Sequence, residues 1–147
     1  EVKIPCLTVS TNVSLDGVDT SSVLSQLISA VAKIMARPHS YVMAALEGSI
    51  PTCFGGTEEP AAFGELVSMG ALNPELNNKL TAEIASILET NLSVPKSRFF
   101  LKFYDIQATS LYSFHFNEIT FVTFFSFSDV TQHFSFISFP CRAIIAD

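Results

Sequence analysis

The first 105 residues of this 147-residue chain read as one structural unit written twice, and no other feature limits the fold as tightly. Residues 5–11, Pro-Cys-Leu-Thr-Val-Ser-Thr, form a short apolar, β-branched run closed by Asn12, the signature of a strand. Asp19 or Thr20 then offers a helix N-cap. Behind it Val23, Leu24, Leu27, Ile28, Val31, Ile34 and Met35 recur at spacings of one, three and four, which predicts an amphipathic helix. Pro38 ends that pattern, and residues 41–46 are expected as a second strand. In the second copy the expected strand is 64–69. Asn73 caps a helix with Pro74 at its first position, and Leu76, Leu80, Ile84, Ile87, Leu88 and Leu92 line one face. Pro95 stops this helix and residues 98–104 form the last strand. The joints Pro38-His39-Ser40 and Pro95-Lys96-Ser97 share a Pro-x-Ser pattern 57 residues apart. Two βαβ units predict an α+β fold in which both helices cover one face of a four-stranded sheet. The other face is left bare, and a symmetric oligomer is the usual way to cover it.

Charge and cysteine usage narrow the function classes. Eight Lys and Arg stand against fourteen Asp and Glu, a net charge of -6, which argues against nucleic acid held through phosphate neutralisation. Cys6, Cys53 and Cys141 lie far apart with no CxxC pair, as expected of a reduced protein rather than a disulfide scaffold. The opening residues hold no apolar stretch of signal-peptide length, and no run of about 18 apolar residues suggests a membrane span. The expectation is a cytoplasmic protein without membrane or nucleic-acid partners, with secretion independent of a signal peptide and a peroxisomal location as the alternatives.

The chain divides into an extension at 1–4, a folded unit at 5–105 and an atypical tail at 106–147. Nine of the fourteen Phe fall in that tail, interleaved with Ser and Thr. Such a composition is what T- and C-rich codons encode, so an alternatively spliced or intronic origin is expected for it.

Three blocks of residues 5–105 resemble the macrophage migration inhibitory factor and D-dopachrome tautomerase family: 5–13, the Phe54-Gly55-Gly56-Thr57-Glu58-Glu59-Pro60 block, and 98–105. Residues 61–66 and 93–98 look most like its plant members. The resemblance implies a homotrimer of βαβ repeats with pockets between subunits. It also implies keto–enol isomerisation of phenylpyruvate- or dopachrome-like aromatic acids, without cofactor or metal.

Moving a proton between a carbon and the neighbouring carbonyl requires a base with a pKa near the working pH. In the family that base is a free N-terminal proline, which matches Pro5. Arg37 matches the cation that holds the substrate carboxylate, Tyr41 a pocket wall and Met69 a backbone contact. Phe100 and Lys102 match positions supplied by the neighbouring subunit. Plainer readings exist beside these: Arg37 also suits a helix C-terminus, and Lys102 suits protection of a sheet edge.

Ile4 precedes Pro5, so the Pro5 nitrogen is a tertiary amide with no basic lone pair. Catalysis therefore requires removal of residues 1–4. The alternative is a non-catalytic, cytokine-like or defence-signalling protein on the same scaffold, acting through a protein receptor. Cys6 and Cys53 read as small buried hydrophobes. His39, His115 and His133 lack metal-ligand spacing. Gly55-Gly56 reads as a turn, not a phosphate loop. Asn12-Val13-Ser14 and Asn91-Leu92-Ser93 match the glycosylation sequon by chance.

Overall fold

In the computed structural model, which describes residues 4–107, the repeat is realised as β1 (Cys6–Thr11), α1 (Thr20–Ile34), β2 (Met43–Glu47), β3 (Ala62–Ser68), α2 (Pro74–Leu92) and β4 (Phe99–Asp105). The tail, with His115, His133 and Cys141, lies outside the described residues, as do residues 1–3.

Both helices begin on a side-chain cap. The Asp19 carboxylate accepts the Ser22 N–H at 3.0 Å, and the Asn73 amide oxygen accepts that of Leu76 at 2.9 Å, ahead of Pro74. Both helices also end on a left-handed residue, Ala36 (φ 51°) and Ser93 (φ 56°). After α1 the Arg37 N–H reaches back to Ala32 O at 2.8 Å and the Ala36 N–H to Lys33 O at 3.3 Å, the paired bonds of a Schellman ending. The helices thus stop short of the prolines. Pro38 and Pro95 instead open 3₁₀ turns, His39–Tyr41 and Lys96–Arg98, that feed β2 and β4. Tyr41 therefore belongs to a turn and not to the expected strand.

The sheet order is β2-β1-β3-β4. β1 runs parallel to β2 and β3 parallel to β4, and the two units join through the antiparallel pair β1 and β3. Thirty-seven residues separate Cys6 from its partner Met43, and Phe63 from its partner Phe100. The two units are thus equal in length, and residue 5 of the first corresponds to residue 62 of the second.

Burial alternates along the strands as it must when one face is covered. Leu7, Val9 and Leu66 point to the helices and are fully enclosed with Val23, Leu27, Val31, Leu80, Ile84 and Leu88 in one core. On the opposite face Met43, Phe63 and Phe100 remain 62%, 43% and 61% exposed. No helix among the described residues is long and apolar enough to cross a membrane.

The connection from β2 to β3 is wound around Asn12. Its amide nitrogen donates to the carbonyls of Glu58 and Glu59, each at 3.0 Å, and its amide oxygen accepts the Ala61 N–H at 2.8 Å. Within this loop Phe54 and Thr57 exchange backbone hydrogen bonds across Gly55 and Gly56, both at positive φ (60° and 80°). Two consecutive left-handed residues are what a two-residue hairpin turn needs, so the Gly pair is a turn, as its sequence suggests.

Two stability effects follow. Ala36→Gly relieves a left-handed alanine and should raise the unfolding free energy by about 1 kcal/mol, read as a higher urea midpoint at constant slope. Asn12→Ala removes four side-chain hydrogen bonds to the 48–61 loop and should lower it by about 1–3 kcal/mol.

Candidate functional site

Pro5 stands at the end of the sheet where β1 begins, with its ring fully buried. Its carbonyl accepts the Met43 N–H at 3.0 Å, which ties it to the end of the His39–Tyr41 turn. Because β1 and β3 are antiparallel, with Cys6 opposite Val67, β3 finishes at the same end and brings buried Met69 with it. Pro5, Tyr41 and Met69 are thus gathered at one end of the sheet by three separate elements. Asp105 closes this end: its carboxylate accepts the Gly70 N–H at 2.6 Å, and the Ile106 N–H bonds Ser68 O at 2.9 Å.

Arg37 enters the same end through the joint between α1 and β2. Its counterpart in the second unit, one residue before the joint proline, is Val94, which is completely buried. The first unit therefore places a guanidinium where the fold otherwise puts an aliphatic side chain. Arg37 is half-buried and its Nε is enclosed without a hydrogen-bond partner. An enclosed donor without a partner costs free energy, on the order of 1–3 kcal/mol. Proximity to the helix C-terminus accounts for the charge but not for the enclosed, unmatched Nε.

Phe100 and Lys102 lie elsewhere. Phe100 is level with Phe63 and hence with Ser10, five residues along β1 from Pro5 and two strands away. At roughly 3.3 Å per residue that is a separation on the order of 17 Å along the strand alone. One chain does not bring Phe100 and Lys102 to Pro5. Both project from the bare face of the sheet. Lys102 Nζ sits 4.6 Å from the centre of the Tyr104 ring, and the Tyr104 hydroxyl donates to Glu65 at 2.9 Å. Hydrogen bonding to Tyr104, then the charges of Tyr104 and Glu65, hold the Lys102 pKa above the ordinary lysine value. The ammonium therefore stays protonated through neutral pH.

Other features resolve differently from their sequence reading. Cys53 is exposed in the loop that Asn12 holds, not buried. It lies in a cleft of about 450 Å³ lined also by Asn12, Ile50, Thr52 and Glu58, apart from the Pro5 end. Cys6 is half-buried, and burial pushes its thiol pKa up, away from reactive thiolate. Asn12 and Asn91 both have engaged amides, Asn91 through Gln26 and Ile87 O, so neither sequon presents a free side chain. Among the described residues no group of three or more His, Cys, Asp or Glu could hold a metal ion. Sequence reasoning missed Asn12 as the loop organiser and Arg98 as the anchor of the Phe54 turn. A lone Asn closing a strand was the sole hint of the first.

Comparison with known proteins gives one answer. A sequence profile described as Macrophage migration inhibitory factor (MIF) matches residues 4–120. A macrophage migration inhibitory factor homolog of Brugia malayi is 34% identical over 108 residues, covering 74% of this chain and 93% of its own length. The crystal structure of a homologue from Prochlorococcus marinus superposes with a TM-score of 0.70 at 28% identity, over 75% of this chain and 95% of that one. The structure of the factor from Trichinella spiralis gives 0.67 at 32% identity, over 72% and 93%. Sequence, fold and the two-unit repeat agree, and the chain belongs to the macrophage migration inhibitory factor family.

Proposed function

We propose that this protein is a keto–enol tautomerase acting on an aromatic acid of the phenylpyruvate or dopachrome type, with Pro5 as its base. The observation that carries the reading is the pairing at one end of the sheet of a buried proline with an arginine that replaces the second unit's buried Val94 and keeps its Nε unmatched. A secondary amine at Pro5 would start near an ordinary N-terminal pKa of about 7.7–8.0. An apolar, cationic surrounding lowers it, so the lone pair is free at neutral pH. In the reaction the nitrogen takes a proton from the carbon beside the keto group. The electron pair moves onto the carbonyl oxygen, which is protonated to give the enol, and the reverse sequence returns the ketone. Arg37 binds the carboxylate of the substrate, in the forked geometry a guanidinium allows. Tyr41 and the backbone at Met69 bound the pocket.

The working unit on this reading is a homotrimer. Three large apolar side chains on the bare sheet face, each worth about 1.5–3 kcal/mol on burial, favour covering it with further copies. Phe100 and Lys102, distant from Pro5 within one chain, then complete the site of a neighbour.

The Ile4–Pro5 peptide bond is the condition on all of this. While it is intact the nitrogen is an amide, and the chain is a non-catalytic ligand for a protein receptor on the same scaffold. Ketonisation of phenylpyruvate enol distinguishes the two states. A chain beginning at Pro5 should be active and one beginning at Ile4 at least about 100-fold less so, the scale of losing general-base catalysis. Equal rates in the two would contradict the reading. In the active form the rate should fall as pH drops below the amine pKa, because the protonated nitrogen has no lone pair. Arg37→Gln should lower kcat/KM about 10- to 100-fold, as loss of a charge-assisted contact does.

A further inference from the structure

Arg98 holds the place in the second unit that Tyr41 holds in the first, the last residue of the 3₁₀ turn. Its side chain is 14% exposed and makes three hydrogen bonds to carbonyls of one loop. Nε donates to Pro60 O at 3.0 Å, and Nη2 to Glu59 O at 3.1 Å and Thr57 O at 3.3 Å. The exposed Glu59 carboxylate lies 4.0 Å from Nη1 and adds little. The same guanidinium sits 5.0 Å from the centre of the Phe54 ring. Phe54 in turn meets Phe100 at 5.3 Å between ring centres, tilted by 58°. A surface Phe standing 61% exposed would ordinarily exchange rotamers freely. Here the turn at Gly55-Gly56 and the Arg98 clamp fix the ring beside it. The result is a two-ring apolar wall on the bare sheet face.

We propose that Arg98 is a positioning residue that sets the preference of the site for aromatic keto acids, by holding Phe54 against Phe100 so that the pair receives the substrate ring. This rests on the tautomerase reading above, in which Phe100 serves the Pro5 of a neighbouring copy. Neither ring carries a hydroxyl, and the Nε and Nη2 of the guanidinium are engaged by the 57–60 carbonyls. The wall therefore offers stacking and apolar contact, which reward an aryl group and give an alkyl group less.

The test uses the chain beginning at Pro5 and compares kcat/KM for phenylpyruvate with that for an alkyl 2-keto acid. Arg98→Met and Phe54→Leu should each lower the aryl-to-alkyl ratio about tenfold, mainly through the KM for phenylpyruvate, the size expected for a lost pocket contact. Phe54→Tyr keeps the ring and should hold the ratio within about twofold. Should Arg98→Met fail to fold, Phe54→Leu, which alters a loop side chain only, decides the matter. An active parent whose ratio is unmoved in Phe54→Leu overturns the positioning role and leaves the tautomerase reading standing. An inactive parent overturns both.

Discussion

The antiparallel seam between β1 and β3 is the constraint on which the rest of this structure depends. Each βαβ unit alone would pair only two strands beneath one helix, too little sheet to exclude water. Joined through the seam, the units place Leu7 and Val9 beside Leu66 under both helices, and one core forms. The same seam decides where function can sit. It brings the start of β1 and the finish of β3 to one end of the sheet, and so sets Pro5 next to the Met69 turn. It equally sends Phe63 and Phe100 to the opposite end, with the Phe54 turn packed beside them. A chain built this way keeps Pro5 and Phe100 at opposite ends of the sheet.

The internal symmetry is informative where it breaks. Equivalent positions in the two units carry Pro5 and Ala62, Arg37 and Val94, Tyr41 and Arg98. In two of these pairs the second unit has the residue a core would choose, Ala62 and Val94, both buried. The first unit has instead a ring whose nitrogen is useful only when free, and a cation with an enclosed donor. In the third pair the second unit spends its arginine on loop carbonyls. One end thus carries the buried proline and the half-enclosed arginine, and the other an arginine spent beside an aromatic surface.

Much of the fold was legible in the residues themselves. The helix starts at Asp19 and Asn73-Pro74 carry their own capping chemistry, and the apolar spacing behind them leaves one face to bury. The Pro-x-Ser joints marked the repeat, although they mark 3₁₀ turns rather than helix ends, because Ala36 and Ser93 have already turned the chain in the left-handed region. That is also why Tyr41 falls outside β2. What could not be read were contacts across 38 to 50 residues, such as Asn12 with the 58–61 loop and Arg98 with Pro60. Side-chain bonds to backbone carbonyls impose no periodicity on a sequence, and so the course of the loop that carries exposed Cys53 could not be read. The roles proposed for Phe100 and Lys102 came from resemblance alone, since residues on strands apart from Pro5 leave no shared pattern with it in the sequence.

The most direct test of the account is a proton titration of the Pro5 nitrogen, followed by nitrogen NMR in the chain that begins at Pro5. The account predicts a single titration with a pKa below the ordinary N-terminal range of about 7.7–8.0, because the ring is buried and Arg37 lies at the same end of the sheet. A value at or above that range would contradict it.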